Sequence, residues 1–342
     1  MPKAIEKEIN NIGEFMQEIL SLQILNHDGL LSIQDFADKY RLSGELVYRG
    51  QYDNSDTLLP TLARPDRYTG KVPLQEERDI IQEIKRSLPD VFRDDYSPLD
   101  LLGIMQHFGA PTRLLDVTEN PFVALFFACS GYGNKDGEVI VFYNERDNYL
   151  DPLVNNAIAE TYAKFESHHF VSGGLGSDVF FDKSTSSACY EGERLLKQIQ
   201  SHPPLIDFDE STECGHPYSE SQVKDYYVAK WHSSPQIVTA STRAKRQEAQ
   251  RGKYILFPND TTENADGQTI IIPNISSIDK IGNDSDLRVC RRLIIPFAAK
   301  SSMLRELDCF GINQGSLFPE NIESICKSIV FRTLLRDPRI TT

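Results

Sequence analysis

Residues 122–129 read Phe-Val-Ala-Leu-Phe-Phe-Ala-Cys, a run with no polar face. A helix that is apolar all round has to lie inside a fold, so the rest of the chain must enclose it. Asn120–Pro121 opens this helix, with a capping side chain followed by a residue suited to the first helical position. The same device stands upstream, where Ser97 reads as an N-cap, Pro98 as the first helical residue and Asp100 as the acid beside the free N–H groups. Leu99, Leu102 and Met105–Gln106 make a short helix that stops at Gly109, a residue able to take a left-handed cap, and Pro111 prevents its resumption. Thr112–Thr118 is then extended. Alternation puts Thr112, Leu114, Asp116 and Thr118 on one face and Arg113, Leu115 and Val117 on the other.

The chain has 342 residues, enough for one large core or two domains, and 40% of them are apolar, ordinary for a soluble protein. A formal net charge of −14 disfavours unspecific attraction to nucleic acid and to anionic lipid. The first residues lack the apolar stretch of a signal peptide and no run of 18 apolar residues occurs, so a cytoplasmic protein with no membrane association is expected. Six cysteines lie far apart without a CxxC pair and read as free, mostly buried thiols.

Helical spacing of Ile12, Phe15, Ile19 and Leu22 predicts a helix over about 9–25, and a shorter one covers 33–40. Residues 45–50 switch to a strand pattern, 74–88 to an amphipathic helix, and 137–143 to a strand rich in β-branched and aromatic residues. From 144 to about 235 the pattern loosens into a polar insertion, with helix expected at 155–164 and 223–231. A basic helix or helix-to-strand transition over 240–250, strands at 253–258, 269–273 and 290–296, and helices at 301–309 and 321–335 follow. The expected class is α+β: an N-terminal helical segment (1–44), then one domain (45–335) interrupted by the insertion at about 144–235.

Dinucleotide, P-loop, nucleophile-elbow and HExxH patterns are all missing, and His168, His169, Cys214 and His216 do not make a four-ligand metal set. Arg49 stands at the end of an apolar strand before Gly50. Two readings fit it: a fork for phosphate or carboxylate with the glycine leaving room for a ligand, or a structural ion pair. Thr112, Arg113, Asp116 and Thr118 either form an internal network or face a ligand; between the two charged residues, Asp116 is expected to be buried and to accept from backbone N–H groups or from Arg113. Arg246 and Gln250, four apart, would share a helix face.

Tyr48-Arg49-Gly50, Leu59–Arg64, the run Gln106–Thr118, Pro121 with Ala124–Ala128, and Arg246-x-x-x-Gln250-x-Gly252 together resemble the FRG domain, named for its Phe/Tyr-Arg-Gly motif. The likeness continues through Ile295–Pro296, Lys300, Leu304, Leu307, Gly311–Ile312 and Leu317–Pro319, so it spans roughly 45–330. A remoter resemblance links this arrangement to mono-ADP-ribosyltransferases of the arginine–serine–glutamate type, and implies an ADP-ribosyltransferase-like split antiparallel sheet flanked by helices.

That resemblance implies NAD+ as substrate, with Arg49 on the pyrophosphate, His107 or Thr118 at a ribose, and Gln250 or Glu248 orienting a ribose hydroxyl. Tyr48, Gly50, Thr112, Arg113 and Arg246 complete the implied nucleotide site. Gln250 or Gly252 stands near where the glutamate of such enzymes is expected, Glu248 is the only carboxylate close by, and a glutamine carries no charge to stabilise a developing oxocarbenium ion. The implied functions are ADP-ribosyl transfer to a protein acceptor or NAD+ glycohydrolysis, as a stress or phage-defence effector with a partner defence protein. The alternative is a non-catalytic nucleotide-sensing or protein-interaction module. Either way the strand ending at Arg49 should lie beside Thr112–Thr118, facing the strand at Lys253–Phe257 across one cleft.

Overall fold

The computed structural model describes residues 5–25, 45–92, 96–131, 133–144, 155–156, 159, 235–241, 244–263, 269–273 and 287–319. The helices expected at 33–40, 155–164, 223–231 and 321–335, and nearly all of the polar insertion, lie outside these residues or almost wholly so. In chain order the elements are β1 (Ile5–Glu8), α1 (Ile12–Leu25), β2 (Glu45–Gln51), α2 (Glu77–Ser87), α3 (Pro98–His107), β3 (Leu114–Thr118), α4 (Pro121–Cys129) and β4 (Gly137–Asn144). After the insertion come β5 (Gln236–Val238), α5 (Lys245–Ala249), β6 (Gly252–Leu256), β7 (Asn259–Glu263), β8 (Thr269–Pro273), β9 (Leu287–Ile295), α6 (Phe297–Cys309) and α7 (Gln314–Leu317).

The protein is α+β. One seven-stranded sheet, ordered β1-β9-β4-β2-β3-β6-β5, carries helices against it, and β7 and β8 form a separate two-stranded ribbon. Pairing is antiparallel except at one edge, where β1 runs parallel to β9. The N-terminal segment expected as helical thus contributes a strand as well. Ile5–Glu8 is four residues long and mostly charged, and it gains strand geometry only from the edge it meets.

Alternation along β4 explains the layering. Val139 and Val141 join one core cluster with Phe15, Val123, Leu125, Met303 and Leu307, drawn from α1, α4 and α6. Ile140 and Phe142 join the other, with Val47, Leu115, Val117, Ile255 and Phe257. A strand buried on both faces reads as an unbroken apolar run, as β4 does. The all-apolar helix α4 is enclosed as its composition demands: Val123, Ala124, Leu125 and Ala128 are fully buried.

Cys129 is buried and burial pushes its thiol up to about 12, while Cys290, half-buried, is pushed up to about 11 by the same cause. Cys309 is exposed. Iodoacetamide near neutral pH, mapped by mass spectrometry, is therefore expected to label Cys309 and to reach Cys129 and Cys290 only after denaturant is added.

Candidate functional site

The walls of the site come from the segment that runs from α3 to α4. Ser97 Oγ accepts from the Asp100 N–H at 3.1 Å, so α3 starts at its own cap. Gly109, at φ 89°, ends it in the left-handed region. The chain then turns inward at Thr112, whose N–H donates to Thr61 Oγ1 at 3.2 Å and whose hydroxyl donates to Gln106 Oε1. Next to it Arg113 is fully buried against Glu77 of α2, its Nε donating to Oε1 at 2.8 Å and a second nitrogen bonding Oε2. Burial lowers the Arg113 guanidinium to about 10 and raises the Glu77 carboxyl, each shift opposed by the partner's charge.

Two expectations are corrected here. Arg113 does not pair with Asp116, and Asp116 is not buried. Asp116 is exposed in the middle of β3, on the opposite face from Leu115 and Val117, as strand alternation requires.

The sheet opens between β2 and β3. β2 runs along β4 for its whole length, from Glu45 opposite Asn144 to Gln51 opposite Glu138, but meets β3 at the single pair Tyr48–Thr118. Where the ladder is lost, Arg49 bridges the two strands. Its Nη1 donates to the Asp116 carbonyl at 2.6 Å and its Nε to Gln51 Oε1 at 3.1 Å. Burial lowers its pKa to about 10, with the Asp116 charge opposing that shift. Among the described residues no carboxylate comes within ion-pair distance of this guanidinium.

Gly50 is glycine for a reason other than ligand access. A Cβ there would sit 1.8 Å from the Ala124 carbonyl oxygen and 2.8 Å from the Ala128 nitrogen. Its lack of a side chain lets the backbone of α4 lie on β2. Gly50 also borders a cavity at the β2–β3 opening.

The expected cleft between β3 and the strand at 253–257 is corrected too. β6 pairs directly with β3, from Leu114 opposite Leu256 to Thr118 opposite Gly252. What leads into β6 folds over the end of β3. Thr118 Oγ1 donates to the Gln250 carbonyl at 2.6 Å, and the Glu119 N–H donates to the Arg251 carbonyl at 3.1 Å. These bonds hold Arg251 at φ 47°, a left-handed conformation that a branched-off side chain rarely takes. Gln250 Nε2 in turn donates to the Leu317 carbonyl at 3.0 Å, and Arg246 stacks over the Phe318 ring at 4.7 Å.

Two cavities lie on either side of this junction, of about 650 and 560 Å3 including their open mouths. The larger is bounded by α3, α5 and β6, with Gln106, His107, Gln247 and Tyr254 in its wall. The smaller sits at the β2–β3 opening, between Tyr48, Arg49, Gly50, Thr118, Val123 and Phe127. Asp116, Val117, Arg246 and Gln250 line both.

The structure therefore brings Tyr48, Arg49, Gly50, Thr118, Arg246 and Gln250 to one cavity, and His107, Arg246 and Gln250 to its neighbour. It does not bring Thr112, Arg113 or Glu248 to either. Thr112 and Arg113 are spent on the interior, and Glu248 is exposed on α5. Tyr254 was missed by sequence reasoning, although alternation and register place it beside Asp116 on the same face. Burial, then the Asp116 charge, raises its phenol pKa. Among the described residues there is no group of three or more His, Cys, Asp or Glu that could hold a metal, and no helix long and apolar enough to cross a membrane.

Residues 44–137 match the FRG domain family. That interval contains Arg49, Asp116, Thr118 and the whole of α4, and ends as β4 begins. Comparison of the chain with curated proteins and with solved structures gave no significant match.

Proposed function

We propose that the adjoining cavities bind NAD+, and that the protein either transfers its ADP-ribose to a protein acceptor or hydrolyses the nicotinamide–ribose bond. The observation that carries this reading is the pair Arg49 and Arg246. Both residues line the smaller cavity, neither guanidinium has a carboxylate in ion-pair distance among the described residues, and Arg246 lines the larger cavity as well. Two planar cations on one concave surface suit a diphosphate, and the polar walls around them suit ribose hydroxyls. The order of parts supports an ADP-ribosyltransferase-like arrangement: a strand carrying Arg49–Gly50, a strand ending at Thr118 before the apolar helix, and a strand that begins just after Gln250. The same resemblance supports a role in stress or phage defence.

A second reading is a nucleotide sensor. It is favoured by Gln250, which stands near where the resemblance implies a catalytic glutamate and whose amide is held by the Leu317 carbonyl. Calorimetry with NAD+, paired with nicotinamide release followed by mass spectrometry, separates the two. Binding with turnover supports the enzyme, binding alone supports the sensor, and neither removes both.

Arg49→Ala is expected to weaken NAD+ binding about ten- to a hundredfold, the loss of one charge-assisted contact. Because Nη1 also ties β2 to the Asp116 carbonyl, the melting temperature should fall by a few degrees, in line with a lost bond of about 1–2 kcal/mol. Arg49→Lys should recover only part of the affinity, since a point charge does not reproduce the fork. Equal affinity in all three proteins would remove Arg49 from the binding site.

A further inference from the structure

Asp116 is the only carboxylate among the described residues that line either cavity, and it lines both. Its side chain is exposed, and no hydrogen bond or ion pair engages its carboxylate; only its backbone carbonyl is used, by Arg49. Three other acidic side chains near this region are committed or turned away. Glu77 is buried against Arg113, Glu119 is paired with Lys253, and Glu248 lines neither cavity. The Asp116 charge reaches the Arg49 guanidinium without an ion pair, and a carboxylate so placed opposes an anionic ligand. It is therefore placed to meet a part of the ligand that is, or becomes, positive.

Building on the NAD+ reading above, we infer that Asp116 is the catalytic carboxylate of the site, supplying the negative charge that Gln250 lacks. NAD+ combines an anionic diphosphate with a cationic pyridinium–ribose, so one ligand matches both the arginines and Asp116. In the hydrolytic reaction the C1′–N bond breaks and its electron pair leaves with the nicotinamide nitrogen, which becomes neutral. The positive charge passes to the ribose C1′ and ring oxygen, where Asp116 stabilises it. Water then forms the new C1′–O bond and gives its proton to Asp116, which releases it to solvent. The products are nicotinamide, ADP-ribose and one proton. With a protein acceptor, the acceptor's nucleophile takes the place of water.

The test compares the full-length wild type with Asp116→Asn and Asp116→Glu. NAD+ binding is read by calorimetry, nicotinamide release by mass spectrometry, and folding by thermal melting. Asp116→Asn keeps the shape and loses the charge, and should slow nicotinamide release about 100- to 1,000-fold while affinity for NAD+ changes by less than about tenfold. Its melting temperature should stay near that of the wild type, because the side chain is exposed and unbonded. Asp116→Glu should recover part of the turnover, which a merely structural role would not produce. Release by Asp116→Asn at the wild-type rate would overturn the assignment and leave the NAD+ reading standing. Wild-type protein that binds NAD+ without releasing nicotinamide would also overturn it, in favour of the sensor. Wild-type protein that does not bind NAD+ at all would overturn the assignment and the NAD+ reading together.

Discussion

Glu77→Ala is expected to lower the unfolding free energy by about 3–5 kcal/mol, the usual cost of removing one member of a buried ion pair. Arg113 is fully buried and Glu77 nearly so, at 2% exposure, so the guanidinium left behind has no route to water. The bond between them joins segments 36 residues apart and holds α2 on the entry to β3. A denaturant titration measures the loss directly. The double variant Glu77→Leu with Arg113→Met should cost much less than the single one, because both desolvated charges leave together. If Glu77→Ala unfolds at the wild-type midpoint, the pair contributes nothing to holding this corner.

Gly50→Ala is the second large effect, and it separates the roles inside the Tyr-Arg-Gly motif. The added methyl would lie 1.8 Å from the carbonyl oxygen of Ala124 and 2.8 Å from the nitrogen of Ala128. Both neighbours are backbone atoms of α4, so no side chain can turn away to make room. Overpacking a core typically costs about 1–3 kcal/mol, and a clash with helix backbone should exceed that range. The expected result is little soluble protein, or a melting temperature lower by about 10 °C or more. Arg49→Ala, one residue earlier, should stay folded and lose affinity instead. A stable Gly50→Ala protein with weakened NAD+ binding would return the glycine to the ligand.

Local features of the fold were legible because their causes are local. The Ser97 and Asn120 caps, the left-handed Gly109 and Gly311, and the alternation through β3 each depend on residues within about four positions of one another. β1 carried no such signal, since a short charged strand is defined by the edge it pairs with. Within the site, Arg49 drew notice from its place at a strand end. Tyr254 drew none, because a buried tyrosine on an apolar strand looks like core.

The amino-acid order alone determined that α4 must be enclosed, that Arg113 and Asp116 fall on opposite faces of the extended segment 112–118, and that α3 ends at Gly109. The tertiary structure decided which of those two charges is buried. Glu77 is one of two acidic residues in the first turn of an amphipathic helix, with Asp79 the other, and nothing local distinguishes it. Packing α2 against the Thr112 turn brings its carboxylate to Arg113, and that contact spends the arginine and leaves Asp116 open to the cavities. Gly50 follows the same logic: its need to be glycine comes from a helix more than 70 residues later, which only the assembled sheet places above it. Partners that far apart share no periodicity, so their choice rests on how the elements pack.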